Sequence, residues 1–187
     1  STLIEMVAVV FMFVAGINFA LHFVAWRRRS LAGYLRDSEF LFYAFLMALT
    51  ATLVVSVLYA TGVYSTLGEA LTRGLFQTVS IATTAGFTTA EFYNWPGFVA
   101  ILLLFSSFVG GCAGSTGGGI KVIRFLLLIK QGMREIVRLV HPSAQIPVRV
   151  GDKTISSRVI EAVWGFFALY VASFIVMYLA IALTGVD

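Results

Sequence analysis

Four apolar runs, at residues 3–26, 40–61, 97–129 and 159–184, constrain this chain more than any other feature. A helix rising 1.5 Å per residue needs about 20 residues to cross a hydrocarbon core of about 30 Å. The first, second and fourth runs therefore each predict one straight spanning helix, whereas the third, at 33 residues, is too long for one. Charged residues make up 12% of the 187 and apolar residues 59%, with a mean hydropathy of +0.94. A soluble domain of this length could not hide so much hydrocarbon in one core. The expected fold class is an all-α polytopic membrane protein in contact with membrane lipid.

Basic residues give the direction of each crossing, because Lys and Arg are retained on the cytoplasmic side of short loops. Twelve of the thirteen lie within residues 27–36 and 121–158. Residues 27–39 and 121–158 are thus expected to be cytoplasmic, and 62–96 and 185–187 external. The net charge of +4 and pI near 9.5 follow from this topology. No aromatic-studded basic surface accompanies them, so nucleic acid is not an expected partner.

One cysteine, Cys112, and two remote histidines, His22 and His141, support neither a disulfide framework nor a zinc set. Paired acids, histidine clusters and activated nucleophiles are also missing at membrane depth, which argues against an enzyme or scaffold. The first apolar run is too long for a signal peptide and precedes its basic cluster. A start inside an apolar helix, without Met, reads as a piece of a longer protein.

The segment between the second and third runs is too apolar for an ordinary loop. Thr66 followed by Glu69 forms a capping-box pattern, and Leu67, Leu71, Leu75, Phe76, Val79 and Ile81 recur at helical spacing. A helix over 67–82 is predicted. The stretch that follows, Thr83-Thr84-Ala85-Gly86-Phe87-Thr88, is poor helix material and predicts an uncoiled strand over 83–88. Backbone at membrane depth needs protein, water or a ligand as partner. Rings of carbonyls that replace a cation's hydration shell are one such arrangement. Thr84, Ala85, Gly86 and Phe87 are the candidate ion-binding residues, with Thr84 and Ala85 as the metal-contacting pair and Gly86 supplying positive φ. The competing reading is a plain external turn joining the helix to the third run; on the filter reading Tyr93, Trp95 and Pro96 form an interfacial anchor before the next helix.

Within the third run, residues 110–119 read GGCAGSTGGG. Six glycines would cost a continuous helix about 5 kcal/mol relative to alanine, so the helix should break. Gly110, Gly111, Gly114, Ser115, Thr116, Gly117, Gly118 and Gly119 are the candidate gate, set against packing through GxxxG. The resemblance to a phosphate-binding loop fails, since no hydroxyl follows Lys121 and no parallel strands flank it. Lys121 and Arg124 share a helical face and are expected to snorkel to the inner headgroups, the alternative being that they hold the loop or an anionic partner. Beyond them, Met133, Ile136, Val137 and Val140 predict an amphipathic helix ending at His141 and Pro142, and residues 146–152 a short hairpin. This segment could dock a cytosolic partner or lie on the membrane.

In this order the parts resemble the Trk/Ktr/HKT superfamily of cation transporters, in its TrkH/TrkG branch. Residues 83–89, TTAGFTT, are similar to that branch's third filter, and GGCAGSTGGGIKVIR, from Gly110 to Arg124, to the intramembrane loop of its third repeat. The resemblance implies four helix, pore-loop, helix repeats around one pore. Residues 1–26 would close the preceding repeat, 27–39 form a linker, and 40–129 be a complete repeat with pore helix 67–82, filter 83–88 and loop 110–119. Residues 130–158 would be a cytoplasmic amphipathic segment and 159–187 would open the next repeat. It further implies potassium ion as cargo, uptake across the inner membrane, a homodimer, and a cytosolic nucleotide-binding regulatory subunit of the TrkA type. The other three filters and a pore-facing arginine have no counterpart here. A two-span channel subunit is the alternative within transport, and the further runs at both ends weigh against it.

Overall fold

The computed structural model describes residues 2–142, 144 and 146–185, so the external placement expected for residues 186 and 187 lies outside the described residues. Two compact units are present, Ser1–Ile123 and Arg124–Asp187.

The first unit runs α1 (Thr2–Ala15), α2 (Phe19–Arg28), α3 (Ala32–Arg36), α4 (Ser38–Ala60), α5 (Leu67–Ala82) and α6 (Gly97–Val109), then an irregular loop up to the start of α7 (Val122–Val140). Helix α5 packs on α1, α4 and α6. Its start is set locally: Thr66 is extended and its side chain accepts the Glu69 N–H at 3.3 Å. Ala70 lies with Val54, Val55, Leu58, Trp95, Val99 and Leu103, while Phe76 and Val79 meet Val9 and Met12. Lipid-facing helices are held by close packing rather than by expulsion of water. Gly74 permits that approach, since a Cβ there would lie 3.0 Å from Val55 Cγ2.

Several expectations change. The first apolar run is not one span: α1 and α2 meet at 95°. Gly16 lets the elbow close over Tyr43, where a Cβ would sit 3.0 Å from Cζ and inside contact with the hydroxyl. Asn18 then restarts the helix by accepting the Ala20 N–H at 2.9 Å. The expected linker 27–39 contains α3, and its last two residues already belong to α4, which carries Glu39 into a buried position. Among the described residues, α4 and α8 are the helices that are long and apolar enough to cross a bilayer unaided. The third run breaks after Val109, where Gly110 adopts φ 72°. Helix α7 then continues past residue 129 to Val140, so membrane run and amphipathic segment share one helix. Trp95 is 6% exposed and packs edge-on to Tyr64 at 6.3 Å; it fills the core instead of anchoring at a surface.

The second unit comprises the rest of α7, strands β1 (Arg149–Val150) and β2 (Lys153–Thr154) paired antiparallel, and α8 (Ser157–Leu183). Leu127, Val148, Ile160 and Val163 form its core. Lys130 Nζ donates to the Arg149 carbonyl at 2.7 Å. The Arg124 guanidinium stands 4.2 Å over the Phe166 ring, a cation–π contact in place of the expected reach to headgroups. Met133, Ile136, Val137 and Val140 are exposed.

Candidate functional site

The candidate ion-binding residues follow directly from the end of α5. Thr83 keeps helical geometry, its N–H and hydroxyl both donating to the Val79 carbonyl at 2.9 and 2.7 Å. The uncoiled stretch therefore begins later than residue 83. Thr84 is left-handed at φ 59°, a conformation rarely adopted by a β-branched residue, and Gly86 is at φ 78°. These reversals turn the amides back onto the helix: Thr84 N–H donates to Ile81, and those of Ala85 and Gly86 both donate to the Ser80 carbonyl, at 3.0, 2.9 and 3.3 Å.

The result is an asymmetry of backbone groups. Among the described residues, the carbonyls of Thr83, Thr84, Ala85 and Gly86 accept no hydrogen bond. Thr83 is buried, whereas Thr84, Ala85 and Gly86 are exposed, so three of these four oxygens face open space. The Phe87 carbonyl differs, since it accepts the Ser80 hydroxyl at 2.6 Å and so faces α5. Beyond it, Thr89 N–H donates to Gln77 Oε1 at 3.2 Å, and Arg73 donates to the Thr89 carbonyl at 2.9 Å and to Glu5 at 3.3 Å. Gln77, Thr78 and Ser80 are fully buried behind the segment. A cavity of about 280 Å³ opens against the free carbonyls, lined by Phe11, Met12, Ala15, Thr83, Thr84, Ala85, Phe87 and Thr116. The C-terminal end of α5, with its partial negative charge, adjoins the same segment.

The glycine-rich loop sits directly against this segment. Gly118 N–H donates to the Thr84 hydroxyl at 2.6 Å, and a Cβ on Gly117 would lie 2.9 Å from the Thr83 carbonyl. The loop is seated in the elbow of α1 and α2. Cys112 N–H donates to the Gly16 carbonyl at 2.8 Å, Phe19 N–H to the Gly114 carbonyl at 3.1 Å, and the Thr116 hydroxyl to Ala15 at 3.1 Å. Gly119 is sterically required: at φ 80°, a Cβ would lie 2.8 Å from the Phe108 carbonyl. Since no helix passes through these residues, ridge packing of the GxxxG kind does not apply to them. Ser115 caps Cys112 through its hydroxyl at 2.6 Å, and Lys121 folds back so that Nζ donates to the Gly117 carbonyl. Lys121 thus holds the loop instead of snorkelling.

The structure joins Thr84, Ala85, Phe87 and Thr116 around one cavity edge, ties Gly118 to Thr84, and places Gly110, Gly111 and Gly119 at the loop's two roots. Sequence reasoning passed over Gly16, Asn18, Glu39 and Ser80. The Gly16-Ile17-Asn18 triplet inside an apolar run was a readable signal, with Gly as breaker and Asn as cap. A second acid inside the first turn of a spanning helix, Glu39 after the cap Asp37, was another.

A helix, an uncoiled segment with free carbonyls and a broken second helix define a polytopic helical membrane protein of the pore-loop repeat type. The TrkH cation transport protein family matches residues 1–186. This chain belongs to that family. It is 48% identical over 187 residues to the Trk system potassium uptake protein TrkH of Escherichia coli, covering 100% of this chain and 39% of that protein. TrkH of Halomonas elongata is 47% identical over 190 residues, again covering 100% of the chain and 39% of the relative. The Escherichia coli TrkG protein is 40% identical over 169 residues, covering 90% and 34%. The crystal structure of the potassium transporter TrkH from Vibrio parahaemolyticus superposes with a TM-score of 0.95 at 47% identity, over 100% of this chain and 40% of that one. The chain thus spans about 39% of the length of the curated relatives it matches.

Proposed function

We propose that the chain forms one part of a potassium uptake pathway in the cell inner membrane, with the carbonyls of Thr84, Ala85 and Gly86 as its share of a selectivity filter. The observation carrying this reading is the run of acceptors at residues 83–86 left without donors while the neighbouring amides fold back onto α5. A dehydrated cation can satisfy such a run, because several fixed oxygens replace its hydration shell at once. Phe87 contributes by position, its ring lining the cavity. On the same reading the glycine-rich loop is the gate, since it occupies the space beside the free carbonyls and touches Thr84. The names of the relatives, components of a Trk system, support a larger assembly. We extend the proposal to a homodimer regulated by a cytosolic nucleotide-binding subunit.

Gly86→Ala in the full-length transporter tests the filter. A Cβ at Gly86 meets nothing within 4 Å, so its effect acts through the backbone, where φ 78° penalises alanine by about 1–2 kcal/mol. The expected outcome is lower discrimination between rubidium and sodium in uptake assays. Unchanged discrimination with normal expression would remove residues 84–86 from the pathway.

A further inference from the structure

We infer that Glu39 is a latch that holds the glycine-rich loop seated, by accepting the Ala113 backbone N–H across from the elbow. This rests on the gate reading above and adds to it the residue that positions the gate.

Glu39 lies in the first turn of α4, only 9% exposed, where Asp37 caps the helix by accepting the Phe40 N–H at 2.8 Å. Its Oε1 accepts the Ala113 N–H at 2.6 Å. An anion at a helix N-terminus is favourably placed, and a bond from a backbone N–H to a carboxylate is about twice as strong as a neutral one. The loop is thus bonded to one side chain from α4 at Ala113.

The position of Ala113 gives the contact its consequence. Its neighbours are fastened on the opposite side, Cys112 through its N–H to the Gly16 carbonyl and Gly114 through its carbonyl to the Phe19 N–H. Residues 112–114 are thus gripped between α4 and the elbow. Residues 115–119 are tied to the filter segment by one side-chain bond, Gly118 to Thr84, and to α1 through Thr116. Residues 112–114 are the part of the loop held from both sides, and losing Glu39 leaves them held from the elbow alone.

Cys112 reports on this directly, because its thiol is 1% exposed while the loop is seated. The test uses the full-length transporter with other cysteines replaced, following reaction of Cys112 with a thiol-reactive maleimide alongside basal rubidium flux. Glu39→Ala removes the acceptor. Glu39→Gln keeps an oxygen at the same reach. Glu39→Asp keeps the charge but falls one methylene short. Labelling of Cys112 is expected to rise about tenfold or more in Glu39→Ala and Glu39→Asp, as loss of one charge-assisted bond implies, and to stay within about threefold in Glu39→Gln. Parent-like protection in Glu39→Asp, or Glu39→Gln labelling as fast as Glu39→Asp, overturns the latch. These two variants keep a polar group in the site and decide the matter even where Glu39→Ala does not fold. Faster labelling without a change in flux would uphold the latch and overturn the gate.

Discussion

Thr84 is the side chain through which the loop touches the filter segment, and Thr84→Val isolates that contact. Valine matches threonine in shape and is equally β-branched, so the left-handed backbone at φ 59° carries the same strain in both. The one loss is the hydroxyl that accepts the Gly118 N–H at 2.6 Å. Thr84 is exposed to the adjoining cavity, so water can reach the freed amide, and the cost is that of an ordinary hydrogen bond, about 0.5–1.5 kcal/mol. That shifts the balance between seated and unseated loop by about two- to thirteenfold. Thr84→Ser retains the hydroxyl and is expected to stay near the parent. The assay is basal rubidium flux through full-length protein in proteoliposomes, paired with hydrogen exchange at the Gly118 amide. Equal exchange and equal flux in the valine and serine variants, both folded, would refute the coupling of loop to filter.

The elbow offers a second test. Gly16→Ala drives a methyl into Tyr43, at an overpacking cost of about 1–3 kcal/mol, and Tyr43→Phe should recover much of it by removing the hydroxyl that donates to Phe13 at 3.0 Å. A double-mutant cycle on thermal unfolding in detergent should give a coupling of about 1–3 kcal/mol; simple additivity would mean that the elbow relaxes elsewhere. At the far end of the filter segment, Arg73→Met loses the bonds to both Glu5 and Thr89, for about 1–2 kcal/mol, whereas Glu5→Gln costs under about 1 kcal/mol. A larger shift of the unfolding midpoint in Glu5→Gln than in Arg73→Met would contradict that ranking.

The features written in local chemistry were legible. The Thr66 cap, the apolar spacing of α5 and the six glycines each act on their own neighbourhood, and helix, ending and break fall where those residues place them. What escaped depends on partners distant in sequence. The Gly16-Ile17-Asn18 triplet marks a weak point in the first apolar run, but the break is fixed there by donors from the loop to the Ala15 and Gly16 carbonyls. Glu39 beside Asp37 looks like a helix-start pair, and its burial follows from Ala113 arriving from the loop. The Phe87 carbonyl looks equivalent to its neighbours until the Ser80 hydroxyl claims it. Propensity likewise gives no sign that Thr84, rather than a glycine, takes the left-handed turn.

The central claim is that the carbonyls following α5 hold a permeating cation. Anomalous scattering from crystals of the full-length protein grown with thallium measures this directly. The account predicts a peak within coordination distance of the Thr84, Ala85 and Gly86 carbonyl oxygens. Thallium located elsewhere along the pathway, with those oxygens bonded only to water, would contradict it.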